Sequence, residues 1–168
     1  LGDKSILDEG EIKINGENNN FVLIGHGHLG GANTKITIKR FEDKLPQLYF
    51  DTEDGGKLLN ALNFTDKIKS GAMVLEINFL DKALNTYSGN INAKDFSIIK
   101  APGIVKSLSS LSFSGINSLF VGQGVKFQSG VASFLNNKEE MFFEKILINN
   151  DTLSIFLNGK YYPNKNNV

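Results

Sequence analysis

Glycine, asparagine and aspartate interrupt this chain at intervals of about ten residues, and the stretches between them are rich in Ile, Val, Phe, Tyr and Thr. β-Branched and aromatic side chains suit a pleated surface, whereas Gly, Asn and Asp tolerate the backbone angles of tight turns. The punctuation therefore predicts a succession of strands, and a protein that is mainly β.

Two strands, Gly10–Asn15 and Phe21–Leu29, are predicted as a hairpin around a turn at Gly16–Asn20. Gly30-Gly31 turns the chain into a third strand, Thr34–Phe41. There Ile36 and Ile38 alternate with Lys35, Thr37 and Lys39, which gives one apolar and one wet face. A fourth strand follows at Gln47–Asp51, and then the spacing changes. Thr52, Glu53 and Asp54 supply an N-cap and first-turn acids, and Leu58, Leu59 and Leu62 recur at helical spacing, which predicts a short helix over Asp54–Leu62.

Gly71 opens a strand with Met73, Leu75, Ile77 and Phe79 on one side. The long strand Asn85–Ile99 then carries Tyr87, Gly89, Ile91 and Ala93 on one face. Pro102 suits the first turn of a helix, and Ile104, Val105, Leu108 and Leu111 make its apolar stripe. Phe113, Ile116, Leu119 and Phe120 extend the helical spacing. Gly122 and Gly124 then launch three closing strands, Val125–Leu135, Met141–Ile148 and Leu153–Tyr161. The order of helix, polar spacer, glycine and apolar strand occurs twice, too loosely to establish a repeat.

The length of 168 residues suits a single domain, spanning 1–168, and 40% hydrophobic residues suffice for a core. Eighteen basic side chains balance eighteen acidic ones, so the field that gathers nucleic-acid phosphates is missing. Without cysteine there are no disulfides, thiolate nucleophiles or Cys-ligated metals. The apolar runs are far shorter than the ~20 residues of a membrane-spanning helix. The chain opens at Leu1 rather than Met, which points to a piece of a longer protein with any anchor or signal outside it.

Catalytic constellations are absent from the pattern. His26 and His28, the two histidines, point to the same side of a strand, as metal ligands do, but nothing near them in sequence completes a site. The glycines from Gly25 to Gly31 lack the Lys-Ser/Thr and the helix of a phosphate loop. Ser114-Gly115 lacks the features of a nucleophile elbow. Asp51, Glu53 and Asp54 read as helix-start acids, and Glu139-Glu140 as solvated turn charges. The chain is therefore expected to be non-enzymatic and to need no cofactor or metal.

Several strands are apolar on both faces: Val22-Leu23-Ile24, Met73-Val74-Leu75, Phe142-Phe143 and Ile146-Leu147-Ile148. A half-covered sheet alternates, so these runs call for two apolar environments. One is a core packed by the helices. The other is either a second sheet or a groove for an apolar ligand, and Met73, Leu75, Ile77, Phe79, Val125, Phe127 and Val131 suit either use.

The run from Gly89 to Leu108, with Asp95-Phe96 at a strand end and Ala101-Pro102 opening a helix, resembles the C-terminal region of AsmA-like proteins. The same order continues through Leu108-Ser-Ser-Leu111-Ser-Phe113 and Gly122-Gln-Gly124-Val125-Lys-Phe127. Asp54-Gly55-Gly56-Lys57-Leu58-Leu59, followed by Gly71 and a strand, resembles the family's upstream helix. The similarity covers 51–160. It implies a curved, largely antiparallel sheet forming an open groove, with two or three short helices packed on it. It also implies a periplasmic segment of a protein held in the inner membrane through a part outside this chain. Such a segment helps move phospholipid to the outer membrane and keep that membrane intact, by holding acyl chains along an apolar lining. The competing expectation is a self-contained β-sandwich serving as a binding or structural module of the cell envelope.

Overall fold

The computed structural model describes residues 7–17, 20–99, 124–137 and 139–161. They form one antiparallel sheet of ten strands around a short helix. In chain order the elements are β1 (Leu7–Glu17), β2 (Asn20–Leu29), β3 (Ala32–Arg40), β4 (Gln47–Thr52), α1 (Gly55–Ala61), β5 (Ile68–Lys69), β6 (Ala72–Phe79), β7 (Tyr87–Ile98), β8 (Val125–Asn136), β9 (Met141–Asn149) and β10 (Ser154–Tyr161). Strand order across the sheet is β1-β2-β3-β4-β6-β7-β8-β9-β10, with the two-residue β5 pairing separately with β7. The sheet is open: β1 and β10 stand at opposite ends rather than closing a barrel.

The strands predicted from punctuation all lie in this sheet, and nearly every one pairs with its predecessor. Gly30 and Gly31, with φ of 60° and 81°, supply the two left-handed positions of a two-residue hairpin turn, and Leu29 pairs with Ala32 across it. Asp54 caps α1 by accepting the Lys57 N–H at 3.0 Å. Only Gly fits at position 71, whose φ is 86° and where a Cβ would lie 2.6 Å from that of Phe96. That glycine brings the chain back under the helix, where the Gly55 N–H donates to its carbonyl at 2.6 Å.

Register places the core on one face. A single row across the sheet runs Ile36, Phe50, Leu75, Ile91, Ala132, Ile146, Leu157, and the adjacent row runs Met73, Ala93, Gly130, Ile148, Ile155. Helix α1 packs onto this face between two clusters. Leu58 joins Leu29, Phe50, Leu75, Ile77 and Phe134, and Leu59 joins Met73, Ala93, Phe96, Phe127 and Ile148. Past Ala93 the in–out alternation slips by one residue in both β7 and β8 while their pairing continues unshifted. Asp95 takes a φ of 55° there, so Phe96 and Phe127 remain in the core and stack at 5.8 Å.

The open antiparallel sheet is as expected, and one expectation changes. No second sheet lies on the first among the described residues, so the two-layer sandwich is not the architecture: α1 and the chain leading from it to β5 occupy the face a second sheet would need. Of the two or three helices expected, α1 is present, whereas the helix predicted from Pro102 onward lies outside the described residues.

Candidate functional site

The helix covers only part of the core face, and the uncovered part is an apolar cavity of about 620 Å³. One wall is Leu59 of α1 with the stretch Phe64–Ile68 that leads into β5. The floor is built by β7 and β8, with β9 and β10 rising beyond it. Depth comes from small residues at the middle of the floor. Ala93 pairs with Gly130, and Ile91 pairs with Ala132, whereas the flanking positions carry Met73, Ile146 and Ile148. At Gly130 even a Cβ would lie 2.8 Å from the Phe96 ring. Volume in this range is ordinary for a small-molecule site, and the lining is almost wholly apolar.

Charge stays at the rim. Asp66 and Lys67 are exposed, border the cavity and form an ion pair at 2.8 Å. Hydrogen bonding from Lys67 is the main reason the Asp66 carboxyl sits below the usual aspartate range. At the margin of the other cluster, partial burial pushes the Tyr87 phenol up, where its ring meets Phe79 at 5.9 Å and Phe134 at 6.3 Å edge-on. No buried side-chain polar atom among the described residues lacks a partner.

The residues singled out from sequence divide. Met73 and Val131 border the cavity, although the alternation of β8 turns the Val131 side chain toward the opposite face, in line with Leu147. Leu75, Ile77 and Phe79 pack in the other cluster, under Leu58, and Leu75 is 0% exposed. Phe127 is buried against Phe96, and Val125 packs at the edge of the same cluster; neither borders the cavity. Sequence reasoning missed most of the lining, including Leu59, Phe64, Phe96, Gly130, Ala132 and Ile146. The available signal was the coincidence of Ala93, Gly130 and Ala132, and it is visible only once the β7–β8 register is known.

His26 lies on the opposite face, across from Lys35, in a shallow polar depression of about 360 Å³ shared with Asp51 and Glu53. The Thr34 and Thr52 hydroxyls in its wall lie 3.1 Å apart, and Thr52 also donates to the Asn33 carbonyl at 2.8 Å. Among the described residues no three His, Cys, Asp or Glu side chains are grouped to hold a metal. Nor is any helix among them long and apolar enough to cross a membrane.

Comparison with protein-family models, curated proteins and solved structures gives no match for this chain.

Proposed function

We propose that this chain is a non-catalytic lipid-binding segment of an AsmA-like conduit in the periplasm, and that its cavity takes the acyl chain of a phospholipid. The observation that carries the reading is the cavity of about 620 Å³, apolar throughout its depth and charged only at its rim. Each methylene moved from water into such a lining contributes ~0.8 kcal/mol whatever its chemical neighbour, so affinity follows chain length and not headgroup identity. With no directional polar group in the depth, the site grips loosely, which suits passage of a guest better than storage. The headgroup stays at the rim beside Asp66 and Lys67, where water and both signs of charge are available.

The test is to purify the full chain, extract it with organic solvent and identify phospholipid by mass spectrometry, then measure uptake of a fluorescent phosphatidylethanolamine. Ala132→Phe places an aromatic ring on the floor between Ile91 and Ile146. Displacing two to three methylenes of guest, it is expected to weaken binding by ~2 kcal/mol, about thirty-fold in Kd, with the far-ultraviolet circular dichroism unchanged. Absence of co-purified phospholipid together with no uptake of the labelled lipid overturns the reading.

A further inference from the structure

Strand β1 ends the sheet, with β2 as its sole ladder partner among the described residues, and every residue from Gly10 to Glu17 is exposed. Ile12 and Ile14, on the core-face side of the strand, are 58% and 65% exposed. Glu11 and Lys13 alternate with them on the other side and form an exposed ion pair at 3.3 Å. Beyond a bulge between Asp8 and Glu11 the strand is regular from Glu11 to Glu17, and an edge whose outer N–H and C=O groups have no ladder partner among the described residues, with isoleucines beside it, is a template for another strand. The strand is net acidic, with Asp8, Glu9, Glu11 and Glu17 against Lys13, so only a register that sets Lys13 against an acid favours a second copy.

We propose that β1 pairs antiparallel with β1 of a second copy of this chain, about a two-fold axis through Ile12. In that register Glu11 of each copy faces Lys13 of the other, twice over, and Ile12 faces its own counterpart. An axis through Glu11 or Lys13 would set like charges directly opposite, and an axis through Ile14 would set Glu11 against Glu17. A two-fold perpendicular to the sheet also keeps the core faces of both copies on the same side, so two ten-stranded sheets join into one. The opposite edge has no such complement, because Lys160 of β10 is already held by Glu140 of its own chain at 2.9 Å. The dimer follows from the edge alone and does not depend on what the cavity binds.

Sedimentation velocity of the full chain over a concentration series at low salt tests this. The expected result is a monomer–dimer equilibrium that Glu11→Lys and Lys13→Glu each weaken about tenfold or more. An equimolar mixture of the two variants restores the dimer, and the double swap Glu11→Lys with Lys13→Glu self-associates like the parent. Both positions are exposed, and circular dichroism of each variant checks that the fold is retained. A monomer at every concentration, association indifferent to the charge swaps, or assemblies larger than a dimer would each overturn the proposal.

Discussion

At the scale of single residues, Val74 and Leu75 show how one step along a strand changes what a side chain does. Leu75 is 0% exposed between Phe50 and Ile91 on the core face, and Val74, on the other face beside Asp51 and Asn92, is 42% exposed. Truncation of Leu75 opens a hole in a packed cluster, so Leu75→Ala is expected to cost ~2–5 kcal/mol. Val74→Ala removes a half-wet methyl pair and is expected to stay within about 0.5 kcal/mol of the parent. Urea titration of both variants checks the contrast, and an equal loss at the two positions would mean that something unseen covers the outer face. The outer-face apolar residues, Val131, Leu147 and Phe156 in one row and Leu135 and Phe142 in another beyond the Ser133–Lys145 pair, account for the β9 runs that looked two-sided in sequence. Those strands are apolar on both faces because one face is core and the other is surface.

At the scale of elements, the turn between β6 and β7 is held by a side chain. The Asp81 carboxylate accepts from the backbone N–H of Asn85 at 3.2 Å and of Thr86 at 2.6 Å, and Leu84 takes a φ of 58° to complete the loop. Hydrogen bonding from the Thr86 side chain, reinforced by those backbone donors, holds the Asp81 carboxyl below its ordinary value. A carboxyl whose pKa is lowered by folding gives up its proton more readily in the folded chain than in the unfolded one. Its contribution to stability is therefore complete above the unfolded value of ~3.9 and fades as pH falls through the lowered folded value. Asp81→Asn is expected to reduce the urea midpoint at neutral pH, with the gap to the parent narrowing below about pH 4. A gap that stays constant into acid would show that the charge on Asp81 contributes nothing to the turn. Helix α1 illustrates the same economy, since seven residues with one capping aspartate form a stable element only because Leu58 and Leu59 are buried on the sheet.

At the scale of the whole molecule, the described residues form one sheet with a single short helix, and they leave more apolar face than that helix covers. That imbalance produces the cavity, and the acyl chain proposed for it would bind the folded chain and not the unfolded one. Saturation at about a hundred times Kd is then expected to stabilise the protein by ~2.7 kcal/mol. For a chain of this size that corresponds to a rise in Tm of roughly 5–10 °C. Differential scanning calorimetry before and after lipid removal measures it, and identical transitions would count against occupancy of the cavity.

Every strand except the two-residue β5, the hairpin turns and the first helix were legible in the residues alone, because period-two alternation, Gly30-Gly31 and the Asp54 cap act over a few neighbours. Membership of one open antiparallel sheet was expected only through the family resemblance, since the same two-faced strands would by themselves build a sandwich if a second layer were supplied. Pairing decided where the lining lies: Ala93 meets Gly130 and Ile91 meets Ala132 only through the β7–β8 register, across a gap of more than thirty residues in the chain. Alternation tells a strand which side chains share a face, but what covers that face depends on distant segments, and so core and cavity separate only when the chain is folded.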